Sequence, residues 1–133
     1  MSNLSYDNKV YNLIKQGLDA TSLRSKVIAN NIANVNTKGY KKYYVSFEET
    51  LKNTMSSIQL EKSDKLHLDG ANVAGKISVK QDKSTSMRED GNNVDIENEM
   101  TNEAANTLLH NALLTQANSK LSLTRYVITG GGR

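Results

Sequence analysis

Few residues of this chain have the types and spacing that catalysis or metal binding would need. The two histidines, His67 and His110, lie in different segments, and neither has a partner at metal-ligand spacing. The acidic residues between positions 89 and 103 lack the ordered oxygen ligands of an EF-hand loop, so a solvated helix start is the better interpretation. No Ser/His/Asp set has motif support, and the glycines at 130–132 follow a predicted helix instead of opening one. We therefore expect no enzyme activity, no catalytic residue, no metal and no cofactor.

The composition favours an assembly part over a self-sufficient globule. The chain has 133 residues, which is room for one ordinary domain, but it has no Pro, Cys or Trp and a single Phe. Only 37% of the residues are hydrophobic, so large buried anchors are scarce. The absence of Cys excludes disulfides and thiolate metal sites. The net charge of +3 is too small for a fully disordered chain.

The sequence predicts neither a membrane span nor a cleaved signal peptide. No apolar run approaches the ~20 residues of a membrane-spanning helix. The N-terminus lacks a basic stretch followed by an apolar one, so any exit from the cytoplasm should use a route without such a peptide.

Charge is distributed unevenly along the chain. Residues 1–47 contain seven Lys or Arg against two Asp, a net +5, whereas residues 88–103 contain one Arg against six acidic residues, a net −5. Complementary segments predict attraction, either within one molecule or between neighbours.

A long amphipathic helix is predicted over residues 4–35. Thr21 and Ser25 make the middle of its stripe small and polar, which suits either an ordinary helix on a core or a close helix–helix approach in a bundle. Gly39 can adopt positive φ after the last periodic residue, so the helix should end before it. The stripe, at helical spacing, consists of Leu4, Tyr11, Ile14, Leu18, Thr21, Ser25, Ile28, Ile32 and Val35.

A second helix is predicted over residues 94–128. Asp95 can cap its start, Glu97 and Glu99 suit its first turn, and the glycines at 130–132 end it. Its apolar residues cover a wide arc, so this helix should have neighbours on more than one side. Between the helices, residues 41–51 begin as a short extended stretch. Residues 76–80 alternate as a strand does, and Asp69-Gly70 could turn a hairpin.

These elements predict a mainly α fold with a small irregular or β middle. We divide the chain into residues 1–40, 41–92 and 93–133, one structural unit that assembly completes. The expected helix-packing residues are Ile14, Leu18, Ile28, Ile32, Val35, Met100, Leu108, Leu114, Leu121 and Ile128.

The end of the first helix carries a motif. It resembles the N-terminal signature of the bacterial flagellar axial proteins, the family of rod, hook and hook–filament junction subunits, usually Ala-(Asn/Ser)-Asn-(Ile/Leu)-Ala-Asn-x-(Asn/Asp)-Thr-Pro-Gly-Tyr. The departure is Lys38 where Pro is usual, which should loosen the turn while Gly39 retains its positive φ. The matching residues are Ala29, Asn30, Asn31, Ile32, Ala33, Asn34, Asn36, Thr37, Gly39 and Tyr40.

A second segment narrows the choice within the family. Residues 90–100, Asp-Gly-Asn-Asn-Val-Asp-Ile-Glu-Asn-Glu-Met, resemble the stretch that introduces the C-terminal helix of proximal rod subunits. The short chain and its Gly-Gly ending also fit, and the resemblance covers about residues 15–51 and 88–133. The alternative is another rod subunit such as FlgC.

The resemblance implies a structural subunit of the flagellar basal-body rod, the shaft that transmits torque. It implies export by the flagellar type III apparatus, then a location that crosses the periplasm or cell wall. The terminal helices would pair as a coiled-coil-like inner domain that encloses the export channel. The implied partners are further copies, rod proteins of the FlgC, FlgF and FlgG types, FliE, the membrane-ring protein FliF and the export gate, with no nucleic acid and no small-molecule substrate.

Phe47 and Leu51 fit the short Phe-x-x-x-apolar element that rod and hook subunits present to the export gate. The pattern is weak by itself, since any helical packing pair at this spacing satisfies it. Export recognition and packing are compatible, one before assembly and one after.

A different class of function is a small basic nucleic-acid-binding protein. Lysines at 38, 41 and 42 lie beside tyrosines at 40, 43 and 44, which could offer phosphate contacts and stacking surfaces. The acidic stretch at 89–103 would repel phosphate, so we favour a solvated loop with aromatic edges.

Overall fold

Two long helices and a small sheet form the structure, a computed structural model that describes residues 2–47, 77–84 and 88–131. Helix α1 spans Ser2–Ala33, strand β1 Tyr43–Ser46, strand β2 Ser78–Gln81 and helix α2 Ile96–Ile128. The predicted mainly helical fold is confirmed. The predicted turn at Asp69-Gly70, together with Leu51, lies outside the described residues.

The two helices pack against each other in antiparallel directions. Asn31, near the end of α1, contacts Glu99, near the start of α2. Thr21, earlier in α1, contacts His110, later in α2, so the two helices run in opposite directions. Near the far end of these contacts, a Cβ added at position 17 would lie only 3.0 Å from Cδ1 of Leu113. Glycine at this position therefore permits a close approach of the helices.

The ends of α2 follow the local signals in the sequence. Asp95 caps its start, because the side-chain Oδ1 accepts hydrogen bonds from the backbone N–H groups of Glu97 (3.0 Å) and Asn98 (3.4 Å). The helix ends at Ile128 with Thr129 as its C-cap, and the following Gly130 has a φ of 71°. Both predicted boundaries are confirmed to within two residues.

The small sheet brings the middle of the chain beside α1. Strands β1 and β2 are antiparallel, with Val45 opposite Val79. The ladder continues past the strand ends through a 2.8 Å bond from the Asp82 N–H to the Lys42 carbonyl. Val45 in β1 is buried, and so is Phe47, which comes directly after the strand. Both side chains therefore contribute apolar contacts to the interior.

Polar side chains occupy much of the interface between the helices. Thr21 Oγ1 lies 2.8 Å from His110 Nδ1, and Asn106 Nδ2 donates to the Thr21 carbonyl over 3.0 Å. One turn further along, Ser25 Oγ donates to Glu103 Oε1 over 2.6 Å. A polar interface adds less stability than an apolar one, but it fixes which residues lie opposite each other.

The expected helix-packing residues divide between the two helices. Within α1, Ile14 and Ile28 are buried, and Leu18 and Ile32 are partly buried, as is Val35 just beyond the helix. The α2 members are 40–79% exposed in the single chain, and their packing role stays a prediction. These α2 residues are Met100, Leu108, Leu114, Leu121 and Ile128.

Within the described part of the chain, neither helix is long and apolar enough to cross a membrane.

Candidate functional site

The end of α1 continues into a chain of tight turns. The Asn34 N–H donates to the carbonyls of Asn30 and Asn31, each over 3.1 Å, and the Thr37 N–H donates to the Asn34 carbonyl over 3.0 Å. The Asn34 side chain bonds back to Asn30 Oδ1 over 2.7 Å. The asparagines of the motif thus satisfy the backbone where the regular helix stops.

The last of these turns contains the departure from the family signature. The Tyr40 N–H donates to the Thr37 carbonyl over 3.2 Å, and Gly39 has a φ of 72°. Positive φ at the third turn position is typical of a type II turn, which makes Lys38 the second position, where proline is favoured. The predicted role of Gly39 is confirmed by this geometry.

Asn92 joins these turns to the segment that precedes α2. Its side chain is fully buried, and Nδ2 lies 3.0, 2.9 and 2.9 Å from three carbonyl oxygens at the end of α1. These carbonyls belong to Asn34, Val35 and Thr37. The Asn92 Oδ1 accepts from the Val94 N–H over 2.8 Å. One carboxamide therefore closes the end of one helix and shapes the approach to the other.

Backbone contacts around Asn92 strengthen the same connection. The Gly39 N–H donates to the Asp90 carbonyl over 2.9 Å. Gly91 has a φ of 79°, and a Cβ added there would lie 3.7 Å from the Cα of Gly39. Asn93 extends the connection to the sheet, because its Oδ1 accepts from the Lys42 N–H over 2.7 Å. We call residues 30–43 and 90–99 together the helix joint.

Asn31 serves the other side of the helix joint. Its Oδ1 accepts from the Tyr43 N–H over 2.9 Å, and its Nδ2 donates to the Tyr43 carbonyl over 2.7 Å, as a neighbouring strand would. The same amide donates to Glu99 Oε2 over 3.0 Å and accepts from the Tyr40 hydroxyl over 3.2 Å. Asn31 thereby connects α1, β1 and α2.

Burial and charge change the acidity of one side chain in the helix joint. Desolvation raises the pKa of Tyr40 above its ordinary value, and the nearby Tyr43 and Glu99 raise it further. The rings of Tyr40 and Tyr43 contact edge to face, with centroids 6.1 Å apart. Tyr40 therefore keeps its hydroxyl proton for the bond to Asn31.

The helix joint is suited to holding helices in place. In the described ranges, no three His, Cys, Asp or Glu side chains come together as a metal site requires. Its chemistry consists of hydrogen bonds between carboxamides and backbone groups. Such a joint fixes the relative position of two helices.

The structure brings together most of the predicted motif residues. Asn30, Asn31, Asn34, Thr37, Gly39 and Tyr40 form the α1 side of the helix joint. Ala29, Ala33 and Asn36 are exposed, and Ile32 is partly buried. Of the predicted export pair, Phe47 is buried next to β1, and Leu51 is outside the described ranges.

Residue-by-residue reasoning missed two sets of partners. The role of Asn92 was not predicted, although it lies within the segment whose resemblance was noted. The polar pairing of Thr21 and Ser25 with α2 was also missed. The signal was present, since two small polar residues interrupt an apolar stripe and so point to hydrogen-bonding partners on the facing helix.

Similarity to known proteins agrees with this architecture. Residues 15–41 match the family model described as flagella basal body rod protein. The flagellar basal body rod protein FlgB of Bacillus subtilis (strain 168) is 36% identical over 118 residues, which cover 89% of this chain and 92% of the relative. FlgB of Borrelia hermsii is 37% identical over 102 residues, covering 70% of this chain and 76% of the relative.

A shorter similarity extends to a second rod protein. The flagellar basal-body rod protein FlgG of Buchnera aphidicola subsp. Baizongia pistaciae is 46% identical over 43 residues, but these cover only 32% of this chain and 16% of that relative. The FlgB relatives, in contrast, match along most of their length. The chain therefore belongs to the FlgB family of flagellar basal-body rod proteins, with a structural role in the rod.

Proposed function

We propose that this protein is a subunit of the proximal rod, exported by the flagellar type III apparatus, which polymerises into the shaft that encloses the export channel and transmits torque. The observation that carries this proposal is the helix joint. Both stretches that resemble the axial family meet there through Asn92 and the end of α1. A shaft needs subunits whose helices keep a fixed relative position under load, and dense hydrogen bonding supplies that constraint.

Contacts between subunits would use the side chains that remain exposed on α2. Large apolar side chains along its length are exposed in the single chain, and burial of each would contribute about 1.5–3 kcal/mol. The proposed partners are further copies, the FlgC-, FlgF- and FlgG-type rod proteins, FliE, FliF and the export gate. In this proposal the subunit lies in the basal body, crosses the periplasm or cell wall and catalyses no reaction.

Export requires the chain to pass the gate before it folds. Phe47 is buried in the folded structure, so the proposed Phe47–Leu51 export element would be read from the unfolded chain. Its burial after assembly is compatible with that earlier role.

The test of the proposed function is cryo-electron tomography of basal bodies in a strain with this gene deleted in frame. We expect membrane rings without a rod and lost motility, both restored by the wild-type gene. Complete rods and normal swimming in the deletion strain would refute the proposal.

The alternatives are less well supported. The similarity that covers 89% of the chain is to a FlgB protein, which favours FlgB over a FlgC-like subunit. For nucleic-acid binding, two of the lysines are already engaged: Lys41 Nζ donates to the Ser84 carbonyl over 3.2 Å, and Lys42 lies 3.8 Å from an Asp82 carboxylate oxygen. A salt-dependent gel shift would revive that alternative.

A further inference from the structure

The side of α2 that faces α1 is regular and polar near the helix joint. The residues of α2 that are not exposed follow one another in alternating steps of four and three, the spacing of a coiled-coil stripe. The first four members of this stripe are polar, and the apolar members Leu113 and Ala117 come later. The stripe consists of Glu99, Glu103, Asn106, His110, Leu113, Ala117 and Lys120.

An apolar face of α2 is exposed instead. Its members have the i, i+3, i+4 and i+7 spacing of one side of a helix, and they are Ala105, Leu108, Leu109 and Ala112. At about 100° per residue, this face points about 135° away from the polar part of the stripe. All of its members are exposed, Leu108 to 72%. The hydrophobic effect alone would turn this apolar face, and not the polar stripe, toward α1.

Three pairs of polar side chains connect the two helices along the stripe. The two polar atoms of each pair lie within 3.0 Å of each other. Hydrogen bonds need such short distances and good alignment, so all three pairs form together in only one rotation of α2 about its own axis. We call these pairs the polar key: Thr21–His110, Ser25–Glu103 and Asn31–Glu99.

The polar orientation of α2 is not the one that stability alone would select. The atoms Glu103 Oε2 and Asn106 Oδ1 are buried, and neither has a hydrogen-bond partner among the described residues. Such atoms cost stability, because they lose contact with water without gaining a donor. Polar residues in a coiled-coil stripe likewise cost stability, and they select one packing arrangement over others. A choice between two orientations of α2 accounts for the same cost here.

We propose that the polar key sets the rotation of α2 and thereby holds the apolar face of this helix outward. The six side chains of the key are positioning residues. Without them, α2 turns about its axis and packs Leu108 and Leu109 against α1. The inference goes beyond the proposed function and rests on it in one respect: in a rod subunit, the key keeps the apolar face available for contacts between subunits.

Disulfide formation reports the rotation of α2, because the native chain has no cysteine. Position 17 faces Leu113, since a Cβ added there would lie 3.0 Å from Leu113 Cδ1. The native-rotation pair is therefore Gly17→Cys with Leu113→Cys. The turned pair is Gly17→Cys with Ala112→Cys, in a chain that also has Leu113→Ala, so that both chains lack the Leu113 side chain. In the purified full-length chain we expect roughly tenfold faster oxidation of the native-rotation pair, because the two Cβ atoms of a disulfide must point toward each other.

The key variant removes both members of two pairs, so that neither partner is left without the other. It combines Thr21→Val, Ser25→Ala, Glu103→Leu and His110→Leu. In this variant we expect the turned pair to oxidise at least as fast as the native-rotation pair. The matched control makes four polar-to-apolar changes at exposed positions and should keep the native preference; it combines Ser22→Ala, Thr107→Val, Asn111→Leu and Gln116→Leu.

Each other outcome overturns the proposal. Equal oxidation of the two pairs in the otherwise native chain would show that the key does not set one rotation, and so would a native preference in the key variant. Loss of the helical circular-dichroism signal in the key variant would mean that the pairs hold the fold together and do not choose between two orientations.

The cross-linking test is independent of the proposed function. If the key variant keeps the native preference and the deletion strain lacks rods, the inference fails and the rod role stands. If the preference is lost in the key variant but the deletion strain builds complete rods, the key stands and the rod proposal fails.

Discussion

Asn31 and Asn92 are both at 0% exposure, and each satisfies backbone groups of an element other than its own. Asn31 lies on α1 and pairs with the Tyr43 backbone of β1, whereas Asn92 precedes α2 and pairs with carbonyls at the end of α1. Together they connect three elements of the chain. The geometry of the helix joint therefore depends on two carboxamides.

Replacement of Asn92 should destabilise the folded chain. Asn92→Ala removes the donor to the Asn34, Val35 and Thr37 carbonyls, so we expect a loss of about 1–3 kcal/mol in the free energy of unfolding. Urea denaturation followed by circular dichroism measures this. Asn36→Ala, at an exposed position of the motif that Asn92 contacts, is the matched control and should change stability little. Equal stability of both variants would show that the three carbonyls find other donors.

The turn at the end of α1 should gain stability from the residue that the family usually has there. Lys38 occupies the second position of a type II turn, ahead of Gly39 with its φ of 72°. Lys38→Pro should stabilise the fold by about 0.4–1 kcal/mol, because proline restricts the unfolded chain at a position whose conformation it already favours. Thermal denaturation beside Lys38→Ala measures the effect. A lower melting temperature for the proline variant would contradict the assigned turn type.

His110 should have an unusual tautomer. The Thr21 hydroxyl has one proton and donates it to the Leu18 carbonyl over 2.9 Å, so His110 Nδ1 must donate to Thr21 Oγ1 over their 2.8 Å contact. The neutral imidazole therefore has its proton on Nδ1. Nitrogen chemical shifts from long-range proton–nitrogen NMR spectra distinguish the tautomers, and Thr21→Val should abolish the preference. A proton on Nε2 in the native protein would be inconsistent with this hydrogen-bond network.

Tyr40 should deprotonate at a higher pH in the folded chain than in the unfolded chain. Burial first, then Tyr43 and Glu99, raise its pKa above the ordinary value of about 10. At high pH the folded chain retains the Tyr40 proton that the unfolded chain releases. The contribution of Tyr40 to stability is therefore fully present below the pKa of the unfolded chain, and it is lost as the pH rises through the raised pKa of the folded chain. Absorbance at 295 nm follows the titration, and the difference between the native protein and Tyr40→Phe isolates the component of Tyr40. A midpoint of that component at or below the ordinary pKa of tyrosine would contradict the raised pKa of Tyr40.

The proposed export element gives a prediction in cells. Phe47→Ala should lower secretion of the subunit more than its cytoplasmic level if the export gate reads this side chain. Val45→Ala is the matched control, since Val45 and Phe47 are 7% and 6% exposed and both substitutions remove buried apolar surface. Immunoblots of culture supernatant and cell fractions measure both quantities. Equal secretion of the two variants would leave Phe47 with a packing role alone.

Local signals in the sequence were sufficient to predict the helices, their ends and the second strand. The spacing of apolar residues predicted both helices, Asp95 predicted the start of α2, and Gly39 predicted the positive φ of the turn. Each of these signals depends on residues within a few positions of one another. The alternation at 76–80 likewise predicted β2, which begins two residues later and ends one residue later, at Ser78–Gln81.

Partners distant in the sequence could not be predicted in this way. Apolar residues cover a wide arc of α2, so periodicity does not show which side faces α1. In the structure the side that faces α1 combines the polar Asn106 and His110 with Leu113, while many large apolar side chains of α2 stay exposed. The side of α2 that faces α1 therefore had to come from the tertiary structure.

The sequence alone determined the helices, their caps, the glycine turn and the family resemblance, because those properties arise from neighbouring residues. The tertiary structure alone determined that Asn92 bonds to the end of α1 and that Thr21 lies opposite His110. The physical reason is that a hydrogen bond needs its donor and acceptor within about 3 Å. Only the antiparallel packing of the two helices brings groups from the two ends of the chain that close together.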